Sequence, residues 1–309
     1  MKKVYTVQIE LVGYCSAKCE HCDWTNRPKS QQICMDTNLA KKCVKEAIEL
    51  NASQISFHIT GESLLHPDIL EIIPTDYPSL ISTNCLSLEG DLAYSLSRMS
   101  NLLIILAILW TEDNLIREKS LQNAINFLKL SPKNRGIYIQ MVCSGKAMHF
   151  VKDMYNIFYQ YLEKNDKIII FYKQPYTQEP DKPTLGYFPQ SIPKHPRIII
   201  DTMNTPQSCG PDCLKTPPNP VTDIFIQSDG ELKPCFKRWN NWNLGNAKDI
   251  NLKDHWKSDR LDFIRKIWEQ GDPQNQLACH DCIRMAIPRN EKVWWEDKNG
   301  KPLNVFKNM

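Results

Sequence analysis

Three cysteines near the start of the chain, Cys15, Cys19 and Cys22, are spaced C-x3-C-x2-C. Three thiolates on one short loop suit a cubane iron–sulfur cluster that leaves one iron without a protein ligand. A structural zinc ion normally takes four protein ligands. His21 is the nearest fourth candidate, but it lies between two of the cysteines and would reach the same metal only under strain. The spacing therefore favours a [4Fe–4S] cluster with one open coordination position. A second group, Cys209, Cys213, Cys235, Cys279 and Cys282, lies toward the C-terminus and ends in a C-x2-C pair. Four of these thiolates can close a second site, either an auxiliary [4Fe–4S] cluster or a zinc ribbon.

The bulk composition is compatible with such chemistry. The chain has 309 residues, 42% hydrophobic and 24% charged, which is ordinary for a globular protein of one large domain with an appendage, or of two domains. Its net charge of +3 is too small to argue by itself for a nucleic-acid partner. The N-terminus has no long apolar h-region, and the longest apolar run, residues 102–110, is too short to span a membrane. The expectation is a cytoplasmic protein with no membrane partner. There, twelve cysteines point to metal ligands rather than disulfides.

The first cysteine loop must be held by the elements around it. Strand signals fall at residues 4–12, 54–61, 80–83, 102–109, 137–143 and 167–172. Amphipathic helical stretches lie between them at 37–50, 67–73, 89–99, 116–130 and 150–164. This alternation predicts an α/β fold with a parallel sheet, either a partial (β/α)6 barrel or a doubly wound sheet. Sites in such folds gather at the C-terminal ends of the strands, where the cysteine loop falls. Prolines recur from Pro175 to Pro220 and predict a connecting segment at 174–220. Residues 223–227 and 231–234, joined by Ser228-Asp229-Gly230, read as a β-hairpin, and a helix is expected over 252–269. The division is thus a core at 1–173, a connection at 174–220 and a small α+β cluster-binding extension at 221–309.

These residues resemble the radical S-adenosylmethionine (SAM) superfamily over most of the chain. Cys15, Cys19 and Cys22 match its cluster motif, and His21 stands where the family usually has an aromatic residue beside the adenine. The run Ile59-Thr60-Gly61-Glu62-Ser63 is similar to the Gly-Gly-Glu-Pro motif that binds the SAM amino group, with Thr60 for the first Gly and Ser63 for the Pro. Ser82-Thr83-Asn84 resembles the end of the third strand, where the family often reads Thr-Asn-Gly, which makes Asn84 a candidate SAM-binding residue, and Cys85 replaces that Gly. The fourth strand ends Ala107-Ile108-Leu109-Trp110-Thr111, without the usual Ser and acidic residue. The resemblance implies reductive cleavage of SAM to methionine and a 5′-deoxyadenosyl radical, which abstracts hydrogen from a substrate. The second cysteine group resembles the twitch extension, a truncated relative of the SPASM domain. That implies one auxiliary [4Fe–4S] cluster on Cys213, Cys235, Cys279 and Cys282, with Cys209 as the alternative to Cys213.

Strand alternation suggests what faces the interior. Apolar Val7, Ile9, Leu11, Ile55, Phe57 and Ile139 should pack outward on helices, leaving Gln8, Glu10, His58, Tyr138 and Gln140 inside. All five are candidates for holding SAM or substrate; alternatively, Glu10 and His58 satisfy each other or a buried Lys or Arg. Cys209 and Cys143 are candidate thiol hydrogen donors, as a radical epimerase needs, although an extra cysteine is more often a small structural residue. The expected substrate is a peptide or a small molecule, and the expected reaction an oxidation, cross-link or epimerisation. An external electron donor such as flavodoxin or ferredoxin is the implied partner. The alternatives are radical modification of a nucleotide or nucleic acid and a non-enzymatic iron–sulfur or zinc scaffold.

Overall fold

The computed structural model describes residues 3–17, 19, 28–109, 113–132, 136–143, 148–162, 167–172, 198–201, 222–234, 244–269, 294–296 and 302–304. Six strands and five helices alternate first: β1 (Thr6–Ile9), α1 (Thr37–Glu49), β2 (Gln54–Ser56), α2 (Ile69–Ile72), β3 (Ser79–Thr83), α3 (Gly90–Arg98), β4 (Leu102–Ile108), α4 (Asn114–Leu130), β5 (Tyr138–Cys143), α5 (Met148–Tyr159) and β6 (Lys167–Tyr172). Then come β7 (Ile198–Asp201), the hairpin β8 (Asp223–Ile226) and β9 (Leu232–Lys233), α6 (Leu252–Trp256) and α7 (Asp259–Glu269). A separate antiparallel pair joins β10 (Trp294–Glu296) to β11 (Pro302–Asn304).

Nine strands form one sheet in the order β7-β6-β5-β4-β3-β2-β1-β8-β9. From β1 to β7 every neighbour is parallel and the order never reverses. A doubly wound sheet requires a reversal. A monotonic order with right-handed crossovers puts all the crossover helices on one face, which is the partial barrel. The sheet is open rather than closed.

The sequence explains the layering. β4 reads Leu-Leu-Ile-Ile-Leu-Ala-Ile; its residues alternate between buried (Leu102, Ile104, Leu106, Ile108) and half-buried (Leu103, Ile105, Ala107). The buried set joins a core with Val7, Ile9, Ile55, Phe57, Ile81 and Ile139. Helix α1 begins where the Asp36 side chain accepts from Leu39 N at 3.0 Å, and it buries Leu39, Ala40, Cys43, Val44 and Ala47 along one stripe. It ends as Asn51 turns to φ 54° and Ala52 N donates to Ala47 O.

Three expectations change. The proline-rich segment contains β7, parallel to β6, carried by the β-branched run Ile198-Ile199-Ile200. The expected single helix over 252–269 is two helices, because Lys257 leaves helical geometry as C-cap of α6 and α7 restarts after Ser258. The hairpin expected in the extension joins the core sheet: β8 pairs in parallel with β1, and β9 returns antiparallel to β8. Among the described residues, no helix is long and apolar enough to cross a membrane.

Candidate functional site

The loop after β1 is clamped at its base. Met35 N donates to Leu11 O and Gly13 N to Ile33 O, both at 2.8 Å, and Val12 and Cys34 form an antiparallel bridge. Beyond the clamp, Cys15 and Cys19 are half-buried; His21 and Cys22 lie outside the described residues. Two N–H groups point at Cys15 Sγ: the Ala17 amide at 3.4 Å and Asn84 Nδ2 at 3.2 Å. Donors directed at sulfur suit a thiolate, the form that ligates iron. Cys15 and Cys19 on one clamped loop, with Cys22 of the same sequence motif as a third thiol, suit a [4Fe–4S] cluster.

The loop after β2 meets this loop backbone to backbone. A Cβ at Gly61 would lie 1.8 Å from Val12 O and 2.8 Å from Tyr14 O, so only glycine fits. Next to it, Glu62 N donates to Tyr14 O at 2.9 Å. The Glu62 carboxylate is buried and accepts from Asn84 N at 2.7 Å and Leu64 N at 3.2 Å. Burial pushes its pKa up, and these bonds together with one from Thr83 oppose the shift. The motif thus welds the ends of β1, β2 and β3 together. Ser63, in place of the family's Pro, donates its hydroxyl to Phe57 O.

The third strand ends in a turn whose backbone geometry suits the Gly of the Thr-Asn-Gly pattern, although Cys85 occupies it. Cys85 takes φ 66°, the left-handed conformation that glycine adopts without cost. It is fully buried, and burial raises its thiol pKa well above the ordinary value. Cys85 N donates to Thr83 Oγ1 at 3.0 Å, Ser120 Oγ donates to Asn84 O at 2.7 Å, and Asn123 Nδ2 donates to Cys85 O at 2.9 Å. Ser120 and Asn123 were not among the sequence candidates. Their signal was available: both are polar residues on the apolar face of α4, which also buries Ala124, Phe127 and Leu128.

Glu10 is buried at the end of β1 and accepts from the Thr60 hydroxyl and from Ser228 N at 3.3 Å. Thr60 thereby gains a partner that a glycine there would lack. Ser228 belongs to the turn between β8 and β9, so one carboxylate ties the motif after β2 to the hairpin. His58 does not satisfy Glu10 by hydrogen bonding: its Nδ1 is buried with no partner among the described residues. Burial lowers the His58 pKa, and the nearby Glu10 charge opposes this. Gln8 pairs in register with Ser56, Ile105 with Tyr138, and Ala107 with Gln140. Gln8, His58, Tyr138 and Gln140 are half-buried, as residues facing an open interior would be. Cys143 ends β5, and its side chain lies outside the description, as do Cys209, Cys213, Cys235, Cys279 and Cys282.

Comparison with known proteins extends this picture. Residues 213–283 match the SPASM family, described as an iron–sulfur cluster-binding domain. The crystal structure of Streptococcus suis SuiB bound to the precursor peptide SuiA is similar, with a TM-score of 0.63 and 15% identity over 86% of this chain and 67% of SuiB. SuiB bound to S-adenosylmethionine gives 0.64 and 16% over 86% and 68%. Native anSMEcpe with bound AdoMet gives 0.56 and 15% over 85% and 83%. The chain has the radical SAM fold with a SPASM-type extension. No curated protein matches it by sequence. In the radical SAM fold, the clamped Cys15 loop, Gly61-Glu62 and Asn84 occupy the C-terminal ends of β1, β2 and β3.

Proposed function

We propose that this chain is a radical SAM enzyme with one auxiliary cluster, acting on a peptide substrate. The observation that carries the reading is the junction at Gly61, where the backbone after β2 lies against Val12 and Tyr14 and places Glu62 and Asn84 beside the cysteine loop. A metal scaffold has no need of that junction. When bound, a [4Fe–4S] cluster on Cys15, Cys19 and Cys22 supplies the electron that cleaves SAM, and an external donor of the flavodoxin or ferredoxin class replenishes it. The chain's own residues orient and enclose. Thr60, Gly61 and Glu62 would hold the amino acid end of SAM, and the family resemblance assigns His21, outside the described residues, to the adenine. His58, whose buried Nδ1 has no partner among the described residues, offers a donor or acceptor to a polar substrate group, and Gln140 is a candidate for the same interior. Glu10, held by Thr60 and Ser228, fixes the wall between them.

The SPASM match begins at Cys213 and contains Cys213, Cys235, Cys279 and Cys282 but not Cys209. That supports these four as the auxiliary ligands, one [4Fe–4S] cluster in all, and leaves Cys209 with Cys143 as candidate hydrogen donors. The precursor peptide held by SuiB supports a peptide substrate. A role for the cysteines as metal ligands favours a reducing compartment and so supports a cytoplasmic location.

The test is anaerobic reconstitution. The wild type should bind about eight irons per chain and form 5′-deoxyadenosine with dithionite and SAM, the count assuming two four-iron clusters. The combined Cys15→Ala, Cys19→Ala, Cys22→Ala variant should retain about half the iron and form none. Zinc in place of iron in the wild type, or continued SAM cleavage by the variant, would overturn the reading.

A further inference from the structure

We infer that Asn84 sets the reduction potential of the cluster held by Cys15, by donating an N–H···S hydrogen bond to that ligand. This rests on the radical SAM reading above. The Cys15 sulfur of the structure stands for the iron-bound thiolate. Asn84 Nδ2 lies 3.2 Å from it and comes from a different strand end. The orientation of the amide is fixed by its other end. Leu86 N, a group that can only donate, reaches Asn84 Oδ1 at 2.9 Å, so the NH2 end faces the sulfur. The residue cannot drift. Its N–H is held by Glu62 Oε2 at 2.7 Å and its carbonyl by Ser120 Oγ at 2.7 Å, and it is only 6% exposed.

Reduction adds one electron, taken from the external donor, and so adds negative charge to the cluster and its sulfurs. A fixed N–H dipole aimed at one of those sulfurs stabilises the reduced form more than the oxidised form and raises the potential. Glu62 becomes a positioning residue for Asn84, in addition to any contact it makes with SAM. A second donor, Ala17 N, lies at 3.4 Å. That bond comes from the backbone of the cysteine loop itself, so it is retained when the Asn84 side chain is changed.

The test compares wild type, Asn84→Ala and Asn84→Asp after anaerobic reconstitution, by potentiometric titration followed by electron paramagnetic resonance. The relevant signal is the one absent from the triple-cysteine variant. Removing the donor should shift the reduction equilibrium about tenfold toward the oxidised form, which is about 59 mV for one electron. Asn84→Asp should move it at least as far, since it sets a carboxylate beside the sulfur. Asn84→Asp retains Oδ1 and so the bond from Leu86 N, and it carries the test alone if Asn84→Ala fails to hold iron. Iron content and SAM affinity, measured on the oxidised protein, should change by less than about twofold. An unchanged potential overturns the inference while leaving the radical SAM reading intact. So does a tenfold loss of SAM affinity at unchanged potential, which would make Asn84 a SAM ligand instead. Absence of the signal from the wild type would sink the radical SAM reading, and this inference with it.

Discussion

Adding a single methyl group at Gly61 should uncouple SAM cleavage from folding. The Cβ of Gly61→Ala would sit 1.8 Å from Val12 O, 2.7 Å from Val12 C and 2.8 Å from Tyr14 O. Side-chain Cβ atoms essentially never approach other atoms closer than 3.0 Å, so the two loops must part by more than about 1 Å. The obstructing atoms are backbone and cannot rotate aside. Overpacking of this kind costs roughly 1–3 kcal/mol, against a total stability of about 5–15 kcal/mol for a typical domain, so the variant should fold. The same displacement acts on the bond from Glu62 N to Tyr14 O, 2.9 Å long in the wild type, and shifts Cys15 relative to Asn84. Misplacement by about 1 Å typically costs about 100-fold in rate. The assay is 5′-deoxyadenosine formation under single-turnover conditions, alongside a thermal melt and iron content. The expected result is a melt a few degrees lower and a rate reduced at least about 100-fold. A rate within threefold of wild type, with an unchanged melt, would refute the claim that this close approach builds the site.

Two further predictions concern stability. Cys85 pairs full burial with φ 66°, so Cys85→Gly loses the sulfur and the Cβ but relieves a left-handed cost of roughly 1–2 kcal/mol, which exceeds the loss of one buried carbon, about 0.8 kcal/mol, whereas Cys85→Ala loses the sulfur and keeps the cost. Urea unfolding should therefore rank Cys85→Gly above Cys85→Ala, the reverse of the usual order, and the usual order would contradict the assignment. His255 is buried, and burial followed by the Arg265 charge lowers its pKa from 6.5 to about 4. Above pH 6.5 it is neutral in both states; below that the unfolded chain takes up a proton that the folded one refuses until about pH 4. Its contribution to stability therefore falls with pH across that window, by on the order of 2 kcal/mol at pH 5. Unfolding curves at pH 7 and pH 5 should show that His255→Gln removes a loss of this size; an equal loss in both proteins would exclude His255 as the source.

Much of the core was legible because each strand carries its own local signal. Residues 167–172 of the sequence become β6 without adjustment, and the apolar run expected as a strand at 102–109 becomes β4 at Leu102–Ile108. β7 was obscured because its three isoleucines stand among prolines, whose local preference dominates the reading of that segment. The break between α6 and α7 left no mark in the apolar spacing, since Trp256, Leu261 and Ile264 stay buried across it. Of the site, the cysteines were proposed from type and spacing, and Gly61-Glu62 only from the family resemblance. The Glu10 tie to Ser228 was legible from neither: those residues are 218 positions apart, and no local pattern relates them. The partner of Thr60 was hidden for the same reason, because a hydroxyl in place of glycine makes sense only beside the buried Glu10 carboxylate.

The parallel pairing of β8 with β1 has a consequence for how the chain is made. Thr6 and Asp223, bonded at 3.2 Å, are separated by 217 residues. At a synthesis rate of about 5–20 residues per second, one edge of β1 must wait roughly 10–40 s on the ribosome for its last partner. During that interval Val7 and Ile9 belong to an open strand edge, the kind of surface that recruits other chains. Maturation of the N-terminal half is thus timed by the C-terminal half, and slower elongation would leave that edge exposed for longer.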